Sequence, residues 1–297
     1  MNRFAPLFII IAAILWGADG ILLRPLLYTL PVALVVFIES SIVTIYLSPL
    51  IYKDFHLLKK LKKLDWLAFL GVGLFGGAIG TMSITKALFY VNFVNLSIVI
   101  LIQKLQPLFA LLLAALILKE RLPLKFFYWA TLAIIGVYLM TFGFKFPTIS
   151  AENKNLLAAF YALIAAFSFG FSTVLSKRAL KNVSFELGTY LRFAISSIIT
   201  LFIILSLSEY HSFSLISTNQ WWVFLIIAFT TGGPAIFLYY YGLKNITASS
   251  STILELAFPL TAVVLEYFVH GNILNIVQWI GVVILILSIT KVTKFRE

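Results

Sequence analysis

Apolar stretches of about twenty residues, separated by short polar connections, fill almost the whole chain. Ten can be delimited: Phe4 to Leu23, Leu30 to Ile51, Trp66 to Phe89, Phe93 to Leu118, Leu124 to Gly143, Leu156 to Leu175, Leu187 to Leu207, Trp221 to Leu243, Ala248 to Val269 and Leu274 to Val292. At a rise of about 1.5 Å per residue, roughly 20 apolar residues cross the hydrocarbon core of a bilayer, so each stretch predicts a spanning helix. The expected fold is an all-α integral membrane protein with ten transmembrane helices. The longest polar connections, Tyr52 to Asp65 and Lys145 to Asn155, are too short to hold a separate core. The first stretch is longer than a signal peptide's apolar region and lacks a small-residue cleavage pattern, which predicts a retained helix.

Charge adds orientation. Only 11% of residues are charged against 62% hydrophobic, whereas soluble globular domains carry about 25% charge. The net charge of +11 is unevenly placed: with an inside amino terminus, 16 Lys and Arg fall on inner segments and four on outer ones, with Lys104 and Arg192 inside spans. This bias predicts both termini in the cytoplasm of a multi-pass cell-membrane protein. The lysine-rich stretch from Lys53 to Lys63 reads as a topology signal facing headgroups, and no nucleic-acid partner is expected. The chain has no Cys, which removes disulfides and thiolate metal sites.

The pattern also repeats. Ala12 to Leu27 (AAILWGADGILLRPLL) aligns without gaps to Ala165 to Leu180 (AAFSFGFSTVLSKRAL) at an offset of 153, which sets Glu39 opposite Arg192. Gly76-Gly77 matches Gly232-Gly233, and Pro107 matches Pro259. Five spans separate the copies, so they have opposite membrane orientation, and inverted repeats commonly hold a substrate near the midplane between them. The halves are assigned to residues 1–147 and 148–297. Proline inside a helix bends it and frees a carbonyl, which makes Pro107 and Pro259 hinge candidates.

With Trp16-Gly17, Phe169-Gly170, Leu191-Arg192-Phe193, Gln106-Pro107-Leu108-Phe109, Lys119-Glu120-Arg121-Leu122, Phe258-Pro259-Leu260 and Gln278-x-x-Gly281 in this order, the chain resembles the EamA-type, ten-helix branch of the drug/metabolite transporter superfamily over nearly its full length. The resemblance implies a carrier of small metabolites whose central cavity is lined by helices one to four and six to nine, with five and ten outside. The chain departs from the family pattern at Glu39, where an arginine is frequent, at Gly271-Asn272, where a Gly-Glu pair is frequent, and at Lys104, an unusual cation within a span.

Ionisable side chains within spans cost about 2.5–3.5 kcal/mol on insertion scales and therefore face the bundle interior with partners. Asp19, Glu39 and Glu255 are the candidate proton-coupling groups. Lys104 and Arg192 either neutralise Glu39 and Glu255 or meet an anionic group of a substrate. At 100° per residue, Thr252, Glu255, Pro259, Ala262 and Glu266 form one semi-polar stripe, while Gln103 and Gln106 share a face of the fourth span. Trp16, Tyr239, Tyr240 and Tyr241 are candidate aromatic walls. The expected substrate-binding set is Trp16, Gln103, Lys104, Gln106, Arg192, Tyr239 and Glu255.

No HExxH or phosphate-binding glycine loop is present, and His56, His211 and His270 lack ligand spacing, so neither enzymatic activity nor a cofactor or metal is expected. The leading expectation is a carrier working by alternating access, coupled to protons or acting by exchange. Two intramembrane cations beside several carboxylates favour an amino acid or related zwitterion or anion as cargo. The alternatives are an exporter of amphipathic drugs or other metabolites and, from another class, a membrane-embedded enzyme or receptor. The expected partners are the lipid bilayer, a small-molecule substrate and protons; oligomeric state and transport direction are not specified by the sequence.

Overall fold

A computed structural model of the chain describes residues 4–90, 99, 102–144, 153–270 and 274–294. Within them, eight helices are long and apolar enough to cross a membrane: α1 (Ala5–Leu27), α2 (Val32–Lys60), α3 (Lys63–Tyr90), α5 (Leu124–Phe142), α6 (Leu156–Ala179), α7 (Phe185–Ser206), α8 (Thr218–Asn245) and α9 (Ala248–Leu265). Two shorter apolar helices, α4 (Gln106–Leu118) and α10 (Ile276–Val292), complete the described bundle. The hydropathy boundaries agree with these helices to within a few residues, except that α2 continues past Ile51 as a 3-10 segment to Lys60. The start of the fourth stretch, Lys145 and Gly271-Asn272 lie outside the described residues.

The outer surface of the bundle is apolar, and its largely apolar interior also buries hydroxyls. Ile45, Leu112 and Phe202 are 70%, 59% and 65% exposed on the outer surface, whereas Ser168, Ser172, Thr173 and Ser176 of α6 are buried. A water-soluble core would show the reverse, so the lipid is the solvent of the outer face.

Small residues set the helix packing. A Cβ on Gly17 of α1 would lie 2.8 Å from the Thr261 Cβ and 2.9 Å from the Phe258 carbonyl of α9. Its repeat mate Gly170 of α6 faces α4 in the same way, 3.0 Å from both the Ala110 nitrogen and the Gln106 carbonyl. Backbones this close require glycine, and the two contacts join opposite halves.

The helices are irregular at repeat-related depths. α3 is π-helical over Val72–Ile79 and α8 over Ala228–Gly232, and the two wide turns start 156 residues apart beside the glycine pairs. Glycine tolerates the widened turn, and such bulges recur at functional sites. The chain also leaves the helix at Lys104-Leu105 before Pro107, and at Glu255-Leu256 before Pro259. Each proline lacks the N–H that would bond four residues back, at Gln103 and Glu255 respectively, so the ladder opens there. Gln103 and Gln106 therefore flank a turn instead of sharing a regular helical face. On α9, Thr252 and Glu255 precede the break while Pro259 and Ala262 follow it; the Glu266 side chain lies outside the described residues.

Two hydrogen bonds tie the halves at opposite ends. On the face carrying the lysine-rich loop, Asp65 at the start of α3 accepts from Asn182 Nδ2 at 2.9 Å. On the other face, Gln220 at the start of α8 donates to Thr29 Oγ1 at 2.8 Å. Asp65 and Gln220 each also accept their own helix's N-cap backbone N–H, from Lys62 and Ser217. At the lysine-rich face Glu120 caps α9, accepting from the Ala248 and Ser249 nitrogens at 2.8 and 3.1 Å. The carboxylate satisfies orphan helix donors there and meets the positive end of the helix dipole.

α5 packs along α10, apart from the main bundle. The implied exclusion of both from the cavity needs correction, because Met140 and Thr141 of α5 and Gln278 of α10 reach its wall.

Candidate functional site

A cavity of about 760 Å³ lies between the two halves. Its wall brings together the expected substrate, proton and hinge residues: Trp16, Asp19, Glu39, Gln103, Lys104, Gln106, Pro107, Arg192, Tyr239, Glu255 and Pro259. The broken turns of α4 and α9 and the π-helical turns of α3 and α8 all open onto it. Irregular backbone at membrane depth is tolerated where it lines such a cavity.

The first polar cluster is built by α1 and α2. Arg24 lies at the end of the π-helical turn of α1 and donates through Nε to Asp19 Oδ2 at 2.8 Å. Its Nη2 also reaches Glu39 Oε2 at 3.3 Å, and Thr231 of α8 donates to Asp19 Oδ1 at 3.3 Å. One cation thus answers two carboxylates. Among the described residues, Glu39 Oε1 and Arg24 Nη1 are buried without a hydrogen-bond partner. The pairing of Glu39 with Lys104 or Arg192 is overturned: Arg24, fifteen residues before Glu39, reaches it because α1 and α2 run antiparallel.

The second cluster centres on Glu255 in the broken turn of α9. Its Oε2 accepts from Gln106 Nε2 at 2.7 Å and its Oε1 from the Tyr239 hydroxyl at 2.7 Å, with Ser251 at 3.4 Å. Tyr239 is held in turn by Thr173 at 3.0 Å and packs on Trp16 with ring centroids 5.3 Å apart. Lys104 lies with its ammonium 4.3 Å from the centroid of the Phe258 ring, a cation–π contact. It feels the charge of Glu255 without forming a salt bridge to it.

Arg192 of α7 forms the third cluster, and its partners are neutral. It donates to the Gly76 carbonyl at 3.3 Å and the Tyr240 hydroxyl at 3.4 Å, and Ser176 bonds Tyr240 at 2.8 Å. The π-helical turn of α3 carries Gly76, and a Cβ there would lie 3.0 Å from Arg192 Nη1, so glycine makes room for the guanidinium. Ser172 and Ser196 present buried hydroxyls beside it that have no partner among the described residues. Among the described residues, Arg192 is consequently a positive charge uncommitted to any acid.

Arg24 is not among the site residues expected from the sequence, where it counts as an outer charge available to pair with Asp19 at the membrane edge; that pair forms, in the cavity wall. Its signal was the repeat: its mate at offset 153 is Lys177, and Asp19 precedes it by a little over one turn. Thr231 and Phe258 carried no such signal, because only helix packing brings them to Asp19 and Lys104.

The EamA-like transporter family matches twice, over residues 3–142 and 156–293. A protein named riboflavin transporter ImpX, from Fusobacterium nucleatum subsp. nucleatum, is 45% identical over 291 residues, covering 98% of this chain and 97% of that protein. An uncharacterized transporter of Clostridium kluyveri is 25% identical over 264 residues, with 86% and 81% of the two chains covered. One solved crystal structure superposes with a TM-score of 0.74 at 16% identity, spanning 99% of this chain and 97% of that one, a likeness of fold alone. These relatives lend no support to an amino acid as the favoured cargo.

Proposed function

The chain belongs to the EamA-like transporter family and is a membrane transporter of a small molecule; from this premise we propose that its cargo is riboflavin. The observation that carries the reading is the 45% identity, along both chains nearly end to end, to a protein named for riboflavin transport. The cavity suits such a cargo in size and chemistry. Its volume of about 760 Å³ falls within the roughly 300–1,000 Å³ of small-molecule sites. Trp16, Phe169, Tyr239 and Phe258 offer faces for a planar ring system, while Thr81, Thr85, Ser172 and Ser196 offer hydroxyls for a polyol chain.

In this reading Trp16, Gln103, Lys104, Gln106, Arg192, Tyr239 and Glu255 contact the substrate. The halves 1–147 and 148–297 rock about the cavity, exposing it to each side of the cell membrane in turn. All ten apolar stretches span the bilayer and both termini are cytoplasmic. Pro107 and Pro259 supply the bends about which α4 and α9 move, and Asp19, Glu39 and Glu255 offer sites for a coupled proton. The Asp65–Asn182 and Gln220–Thr29 bonds supply one latch at each end, of which alternation must break one at a time.

Purified protein in liposomes tests the cargo. Saturable uptake of labelled riboflavin, competed by unlabelled riboflavin and accelerated when unlabelled riboflavin is loaded inside, is the expected result. Flux of an amino acid with none of riboflavin would overturn the proposal.

A further inference from the structure

We infer that the Lys104–Glu255–Gln106 group at the broken turns of α4 and α9 is a reader of cyclic imides, and that it recognises the pyrimidine edge of the cargo's ring system. The inference rests on the riboflavin reading and names which part of that molecule meets which residues.

A flavin ring ends in an O2, N3–H, O4 edge, an acceptor, a donor and an acceptor in a row. Its complement is a donor, an acceptor and a donor, and the cavity wall holds groups of these kinds in Lys104, Glu255 and Gln106. Glu255 Oε2 is the acceptor: it takes one hydrogen bond, from Gln106 Nε2 at 2.7 Å, and the carboxylate has about four lone-pair sites of which the described contacts use three. Gln106 lies beside it as one donor, with a second N–H of its amide still to give. Lys104 is the other donor. Its ammonium is held over Phe258, its described contacts include no hydrogen bond, and it lines the cavity within the field of Glu255.

The group stays open to a ligand because both helices break there. In an unbroken α4, Lys104 and Gln106 would point about 200° apart and could not serve one edge. The turn at Lys104-Leu105 lets both reach the wall. Tyr239 and Ser251 fix the remaining oxygen, Oε1, so Glu255 is oriented before any ligand arrives. Trp16, packed on Tyr239 at 5.3 Å, provides a face along which a ring entering the group can lie. The edge, with the ring's face, is thus what this end of the cavity senses; the ribityl chain lies elsewhere.

Titration of the purified full-length protein with riboflavin, N3-methylriboflavin, lumiflavin and uracil, followed by flavin fluorescence or thermal shift, tests this. Lumiflavin, which keeps the imide and lacks the ribityl chain, is expected to bind. N3-methylriboflavin loses the central donor and leaves Glu255 unanswered, so it is expected to bind roughly 10- to 100-fold more weakly than riboflavin, the cost of an unpaired buried polar group. Glu255→Gln is expected to shrink that ratio, and Lys104→Gln to weaken all the imides together. The ligand series on the unaltered protein stands even where a variant fails to fold. Equal binding of riboflavin and its N3-methyl derivative overturns the inference, as does failure of every imide to bind. Binding of lumiflavin or uracil with no binding of riboflavin keeps the imide reader and sinks the riboflavin reading.

Discussion

Arg24 holds two carboxylates with one charge, and the two are not equivalent. Asp19 takes the short contact and is further tied to Thr231, whereas Glu39 lies at 3.3 Å with one oxygen unanswered among the described residues. Glu39 is therefore the surplus negative charge. Glu39→Gln leaves the Asp19–Arg24 pair balanced, so the protein should fold with a melting temperature near that of the wild type. If Glu39 carries the proposed coupled proton, riboflavin flux in that variant no longer responds to an imposed pH gradient; an undiminished response would rule Glu39 out as the coupling site. Arg24→Gln instead strands two carboxylates. Removal of one partner from a buried ionic group costs about 3–5 kcal/mol, and because Arg24 keeps 17% side-chain exposure the lower end is expected, read as loss of thermal stability. Arg192, bonded only to neutral oxygens among the described residues, is uncommitted, so Arg192→Gln should leave the fold intact and reduce flux strongly in the liposome assay.

The proposed mechanism draws on where the helices fail to be regular. α4 and α9 break at turns 151 residues apart in the sequence, and α3 and α8 widen at turns 156 apart, so each half presents the same pair of weak points to the cavity. Between the weak points the contacts are tight. Gly17→Val would push carbon atoms into Thr261 and the Phe258 backbone, and overpacking of this kind costs about 1–3 kcal/mol. A lowered melting temperature with reduced flux is expected, and Gly170→Val should behave alike against α4. Pro259→Ala restores the N–H that α9 lacks. It should leave stability unchanged or raised while slowing flux, because a continuous helix resists the bend that alternation needs. Normal flux in that variant would dismiss Pro259 as a hinge.

Across the whole molecule, the two proposed latches lie at opposite ends. Asp65→Ala removes the tie on the lysine-rich face and should shift the population toward opening there; Gln220→Ala should shift it the other way. The chain has no Cys, so a single cysteine introduced into the cavity wall reports accessibility from each side without background. Its labelling from the two faces of sealed vesicles should change in opposite directions in the two variants. A change of the same sign in both would reject the paired-latch mechanism. Reporter fusions at the carboxy terminus and in the Lys53–Lys63 stretch should both report the cytoplasm, following the charge bias of 16 to four.

Hydropathy and spacing are local properties, and what depends on them alone was readable in the chain: the boundaries of the apolar stretches, the repeat, and the identity of Asp19, Glu39, Lys104, Arg192 and Glu255 as charges that the bilayer forces inward. Sequence spacing even located the broken turns, since a proline announces a missing N–H wherever it lies in a helix. Which charge meets which was decided by the tertiary structure. Arg24 took Glu39 by reaching across from α1, which packs on α8 and α9, to α2, which packs on α7; Glu255 took Gln106 and Tyr239 because α9 faces α4 and α8, and Arg192 was left to a carbonyl and a phenol. The Asp65–Asn182 and Gln220–Thr29 ties join residues more than a hundred positions apart. Partnership depends on which helices become neighbours and on their relative height and rotation, and these follow from packing the small residues Gly17, Gly76 and Gly170 against other helices.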